Sequence, residues 1–402
     1  MSVPRAGSPL VPVSPHWGKS LRPLLAFAVV FSLAALFVSC SGNGKLPVTG
    51  TGNTAYVTLP NNGSILKLHI DGATGAVVPE GSTPAGVGTT PFGIALSPSK
   101  NFLYVANSQS NDVSTFKIAG DGTLSLLTTT SDGGSGPHEL LVDPSGQYLL
   151  VTNSGLTGDI SVFSMDSSTG DLTAVPGSPF FANNGPSQMV MPSAGNFLYV
   201  SNPSTGTVTA FAFDPTLAAC SVILCPVSGS PFYSGPGASA LAIDSSGQFL
   251  YVANTSASNP GSNVIGNISA FSIDSVGSLH SLSKLGSPFA PSIGSGPSTL
   301  VVVPNTQFLY ATTPGASYSI WCFTINSQNG QLTVANGSPF SLTAGGQFAL
   351  VDTNGSYFYI GSQESKAIAG YTYDSNTGQP TAVLNSPFSI SGQIPGKMVI
   401  VP

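Results

Sequence analysis

One histidine in this chain stands where it could act as a base. His138 lies in the stretch Gly136-Pro137-His138-Glu139-Leu140, just where a short apolar strand begins. A neutral imidazole there could take a proton from water, provided its geometry is right. Glu139 is its neighbour, but adjacent strand residues point to opposite faces, so Glu139 is not expected to orient the ring. Asn153 or Asp159 could supply an orienting partner. Against catalysis stands the lack of an obvious electrophilic partner, which acyl chemistry usually needs. His69 and His280 do not cluster with His138, and no Cys/His spacing suits zinc, so no metal is expected. No glycine-rich phosphate loop follows a strand and opens a helix, so no nucleotide and no other cofactor is expected.

The elements that would position this histidine recur along the chain. AYVTL 55–59, LYVAN 103–107, LLVTN 149–153, LYVSN 198–202, LYVAN 250–254, LYATT 309–313 and FYIGS 358–362 lie 46 to 59 residues apart. Each copy but the first follows a short apolar strand, such as ELLVD 139–143 or TLVVV 299–303. Each is followed by an alternating strand, such as DISVFSM 159–165 or NISAFSI 267–273. Period-two alternation predicts a half-buried strand. A turn such as DSSTG 166–170 then leads to a fourth strand. Four strands per unit of about 50 residues predict an all-β, seven-bladed β-propeller of four-stranded antiparallel blades. The first unit lacks its innermost strand, and PGKMVIVP 395–402 has the spacing of one. The C-terminal strand is therefore expected to close the ring, three strands plus one.

Gly-Ser-Pro-Phe recurs at 177–180, 229–232, 286–289 and 337–340, with Asn-Ser-Pro-Phe at 385–388. The motif is expected to end the exposed fourth strand, where proline denies a donor to an intruding chain. Its phenylalanine would turn inward between blades.

Ring geometry gathers one residue per blade at a rim: Phe92, His138, Ser187, Ser239, Ser298, Gln347 and Gly396. A facing set comes from the second strands, including Asn107, Asn153, Asn202 and Asn254. Uncharged hydrogen-bonding groups dominate this mouth, which suits a neutral polar ligand. The asparagines could equally serve turn chemistry.

Composition narrows the partners. Only 6% of residues are charged. Arg5, Lys19 and Arg22 precede an apolar run of 15 residues, 24–38, too short to span a membrane. The run ends in Phe37-Val38-Ser39-Cys40, which resembles a bacterial lipoprotein cleavage box; an ordinary secretory signal that contains a cysteine is the alternative. The expected organisation is a signal peptide over 1–39, lipidated Cys40 with a tether to residue 53, and a propeller over 54–402. Ser41 favours the outer membrane. The mature chain would keep seven basic and sixteen acidic residues, a net charge of −9, and no arginine. Nucleic-acid binding is thereby excluded, as is a bidentate fork for phosphate. Cys220 and Cys225 are expected to form a local disulfide. Cys322 is expected to be a buried free thiol.

The repeats, with Gly-Pro before and Asp-Pro-x-Gly between strands, resemble the seven-bladed lactonase-like propellers over nearly all of 54–402. The closest stretch is GPHELLVDPSGQYLLVTNSG 136–155. That resemblance implies an active-site role for His138. It also implies a second basic site on the next blade, where this chain has Ser187 and Gln188. The main expectation is therefore an envelope-anchored monomer that binds a small neutral ligand or an envelope protein and touches the membrane through Cys40. The alternative is a lactone hydrolase with His138 as general base.

Cys40→Ala should release the protein from membranes or leave it unprocessed. Unchanged lipid labelling and fractionation would remove the lipoprotein reading.

Overall fold

The computed structural model describes residues 52–401 apart from 83–86, 156, 219, 256–265, 290–295, 314–318, 343–345 and 353. Cys40 and the expected signal and tether lie outside the described residues, save Gly52 and Asn53. The described chain folds into seven antiparallel sheets. The second blade shows the plan: Pro91–Leu96 innermost, then Phe102–Asn107, Asp112–Ile118 and Leu124–Ser131 outermost. The first blade is assembled from both ends of the ring. Its innermost strand, Met398–Val401, pairs antiparallel with Gly52–Leu59, Val57 facing Met398 and Thr54 facing Val401. The closure is three strands plus one, and the ring begins at Gly52, two residues before the expected boundary.

Blades pack face against face. One apolar cluster joins Leu150, Ile160 and Val162 of the third blade to Met189, Leu198 and Val200 of the fourth. Another joins Val57, Leu68 and Ile400 of the first to Tyr359 and Ile368 of the seventh. The second strands are therefore buried on both faces; every residue of Phe102–Asn107 is buried. The same holds for the third strands, where Val113 to Phe116 are all buried. Across Val113–Phe116 the alternation therefore marks no solvent face, contrary to the expected half-burial.

The repeated Ser-Pro-Phe motif does not end the fourth strand, contrary to expectation. It interrupts that strand. In the third blade Leu172–Ala174 pairs with one end of Asp159–Met165, and Phe180–Phe181 pairs with the other end. Between them the motif serine takes over the ladder. Ser178 Oγ accepts from the Val162 amide at 2.9 Å. Ser230, Ser287, Ser338 and Ser386 do the same for Ala210, Ala270, Cys322 and Gly370, at 2.9 to 3.0 Å. All five Ser-Pro bonds are cis. The phenylalanines Phe180, Phe232, Phe289, Phe340 and Phe388 do pack into the clusters between blades.

Ser287 is 7% exposed. Ser287→Ala would strand the Ala270 N–H, and an unsatisfied buried donor costs about 1–3 kcal/mol. Chemical denaturation should show a loss in that range; an unchanged midpoint would mean that the serine does not carry the ladder.

Candidate active site

Six of the seven expected rim residues come together. Phe92, His138, Ser187, Ser239, Ser298 and Gln347 line one cavity of about 260 Å³ at the ring centre. Glu139, Gln188, Thr299 and Lys397 complete its polar wall. Lys397, not Gly396, is the lining residue from the segment that leads into the closing strand.

Two backbone irregularities shape this wall. The pairing of Pro137–Val142 with Tyr148–Asn153 shifts register between Pro137 and Leu140. That bulge spans His138 and Glu139, and a bulge re-aims side chains. Both residues therefore reach the cavity, and the expectation that Glu139 faces away is corrected. A second shift, between Pro91 and Ile94, spans Phe92 and Gly93. A Cβ on Gly93 would lie 2.3 Å from the His138 carbonyl oxygen. Only glycine lets the two strands approach so closely. The approach lays the Phe92 ring on the His138 ring, centroids 4.2 Å apart.

His138 carries a free acceptor. Its Nδ1 is buried and has no hydrogen-bond partner. Burial holds the imidazole below its usual pKa; Lys397 pushes the same way, while Glu139 and a hydrogen bond to the Ser187 backbone oppose it. Neutral imidazole is thus the resting form near pH 7. Glu139 pairs instead with Lys397, Oε2 to Nζ at 2.9 Å.

Hydroxyls one residue before the asparagine position stitch the rim. The Lys397 amide donates to Thr58 Oγ1 at 2.9 Å, and Thr58 Oγ1 donates to the Phe92 carbonyl at 2.7 Å. The Glu139 amide donates to Thr152 Oγ1, which donates to the Ser187 carbonyl. Ser201 links Gln188 to Ser239 in the same way. The residue inside YV-x-N was the available signal: Thr or Ser there marks a bridge, and Ala cannot make one.

The asparagines lie elsewhere. Asn107, Asn153, Asn202 and Asn254 are buried, and each donates to the third strand of its own blade; Asn254 also bonds Ser234 in the connection from the preceding blade. Asn153 Nδ2 donates to Asp159 Oδ1 at 2.7 Å and to Ser161 Oγ at 2.9 Å, so neither Asn153 nor Asp159 orients His138. Asn107, Asn202 and Asn254 repeat this with Ser114, Thr209 and Ser269. None of the four lines the cavity. A buried amide gains more from these fixed partners than from solvent, so their expected ligand-binding role gives way to a scaffolding one. Cys220 and Cys225 are disulfide-bonded, with Cα atoms 6.1 Å apart. Cys322 is free and buried, and burial pushes its thiol up to about 12. His280 pairs with Asp274 on the surface.

A closed ring of seven four-stranded blades, with a polar central mouth and one neutral histidine in it, defines a propeller of the lactonase type. The chain belongs to the family of lactonases with a seven-bladed β-propeller, whose model matches residues 46–287 and 264–393. It is 26% identical over 224 residues to a 6-phosphogluconolactonase of Bacillus subtilis, covering 50% of this chain and 64% of that one. It is 37% identical over 86 residues to a 6-phosphogluconolactonase of Formosa agariphila, covering 21% and 24%. The matched stretches thus span less than two thirds of these relatives. Two solved structures share the fold. A periplasmic gluconolactonase of Pseudomonas aeruginosa superposes with TM-score 0.72 at 17% identity, over 88% of this chain and 99% of that one. A Bacteroides fragilis protein provisionally named 6-phosphogluconolactonase gives 0.72 at 21%, over 89% and 100%.

The Asn153 network yields a stability prediction. Asp132 is 2% exposed. Burial, and then the nearby charge of Asp159, pushes its carboxyl up to about 6. A raised folded pKa favours folding below the unfolded value near 3.9 and loses that benefit as pH rises through about 6. Above that, the ionised carboxylate costs up to about 3 kcal/mol, at 1.36 kcal/mol per pKa unit. Asp132→Asn should therefore raise stability at pH 8 and leave it nearly unchanged at pH 4. Urea denaturation with no gain at pH 8 would refute this.

Proposed function

We propose that this protein hydrolyses a lactone, with His138 as general base. The observation that carries the reading is the free, buried Nδ1 of a neutral histidine on the wall of a polar cavity. Family membership supports it and displaces the binding-module expectation as the leading one. Nδ1 is covered in this structure, so a small turn of the imidazole must uncover it; a water then held beside it adds its oxygen to the lactone carbonyl carbon while its proton passes to Nδ1. The Lys397 ammonium can donate to the carbonyl oxygen as negative charge gathers there, an arrangement that favours the transition state over the substrate. The ring C–O bond then breaks, and the imidazolium returns its proton to the leaving alkoxide. One hydroxy acid results, with no net proton held by the enzyme. Ser187, Ser239, Ser298 and Gln347 offer hydrogen bonds to the substrate's hydroxyls. The lipid anchor at Cys40 remains part of this proposal and would place the reaction at the cell envelope.

His138→Gln should slow turnover by roughly 10²–10⁴-fold, the usual worth of a positioned base. Only neutral imidazole can accept the proton. Wild-type activity should therefore fall as pH drops through a value below the ordinary histidine pKa near 6.5. Rates of lactone consumption compared between the two proteins from pH 4 to 8 decide the matter. Equal, pH-independent rates would rule out His138. No consumption by either protein would restore the binding-module reading.

A further inference from the structure

We infer that Glu139 makes this cavity select uncharged lactones and reject their phosphate esters. The inference rests on the lactonase reading and names the substrate class of the same site.

Among the described residues the wall holds two charged groups, Glu139 and Lys397, and they face each other at 2.9 Å. Their side chains are only 18% and 20% exposed, so water screens them little. With His138 held neutral, the lining carries no net charge. A phosphate needs the opposite: a cation free to meet it, or a guanidinium fork. No arginine occurs in this sequence after Arg22. Lys397 is the single cation among the described residues lining the cavity, and its charge is already matched. An incoming phosphate oxygen within hydrogen-bond reach of Nζ, at about 3 Å, would lie within about 6 Å of the Glu139 carboxylate. The repulsion acts over the same short range as the attraction, so the dianion gains little and must still shed its hydration.

Both partners are fixed from behind. Thr152 Oγ1 holds the Glu139 amide and Thr58 Oγ1 holds the Lys397 amide. The carboxylate reaches the cavity only because the strand bulges at His138 and Glu139. An acidic residue placed beside a site's one cation acts by exclusion, which is how a site discriminates between ligands of one shape and different charge. A neutral polyol lactone meets no such penalty. It finds the serine and glutamine groups of the wall and the Lys397 N–H groups.

Glu139→Gln keeps the shape and removes the charge, leaving Lys397 unmatched. Wild type and Glu139→Gln should be compared on glucono-δ-lactone and on its 6-phosphate, with inorganic phosphate titrated calorimetrically against both proteins. Wild type should prefer the neutral lactone in kcat/KM by tenfold or more, on the order of one ion-pair contact. Glu139→Gln should narrow or invert that ratio by about tenfold and should bind phosphate where wild type does not. Adding Lys397→Gln should abolish the gained phosphate binding. Equal use of both lactones by wild type would overturn the inference, as would an unchanged ratio in Glu139→Gln. If neither lactone is consumed, the lactonase reading fails by itself. The phosphate titration still decides the charge rule, and no gain of phosphate binding in folded Glu139→Gln, with melting intact, would overturn it.

Discussion

A ring of separate sheets persists only if each blade is fastened to the next, and at five of the seven joints a buried tyrosine hydroxyl does the fastening. Tyr56, Tyr199, Tyr251, Tyr310 and Tyr359 sit at one position of the second strand. Each donates to a glycine carbonyl in the following blade, Gly122, Gly277, Gly330, Gly378 and Gly75, at 2.5 to 3.0 Å. The last of these crosses from the seventh blade to the first. Each acceptor glycine has a positive φ, which favours glycine over any other residue. Four of them also leave room for an aromatic ring: a Cβ on Gly277 or Gly330 would strike Phe197 or Phe249, one on Gly378 would strike Phe308, and one on Gly75 would strike Tyr357. The glycine of the turn after the third strand and the tyrosine of the neighbouring second strand are thus two halves of one joint.

Everything at the rim depends on the ring being closed. The cavity has no wall of its own. Its sides are the first residues of several innermost strands, each contributed by a different blade. Lys397 enters on the segment that closes the ring, and its amide, Thr58 and the Phe92 carbonyl form one continuous chain of hydrogen bonds across two blades. Closing the ring and completing the site are one event. The burial that lowers the basicity of His138 is equally collective, since Phe92 of one blade covers the ring of the next.

Polar groups fall into two populations. The asparagines and their serine, threonine and aspartate partners are spent inside the blades, where a buried amide must find fixed partners. The serines and glutamines at the strand starts remain on the cavity wall. Both populations look alike in sequence, being single polar residues at strand ends. What separates them is the bulged start of an innermost strand against the regular end of a second strand, where the third strand supplies partners at once.

The sequence by itself determined the architecture. Strand periodicity, the near-50-residue repeat and the missing innermost strand of the first unit are local patterns, and they require seven blades closed three plus one. The place of His138 followed from the same register, as did the other rim positions as far as Gln347. Tertiary structure alone decided which neighbours face the cavity. A bulge at 138–139 overrides the strand's alternation and brings Glu139 inward, and no residue type announces a bulge there. Lys397 meets Glu139 only because the chain's two ends share a blade, a contact with no local signature. The Ser-Pro-Phe motif likewise reads as a terminator until its serine is seen holding an amide of the adjacent strand. Repetition is written along the chain; the charge balance and basicity of the site arise between blades, where desolvation and long-range pairing decide them.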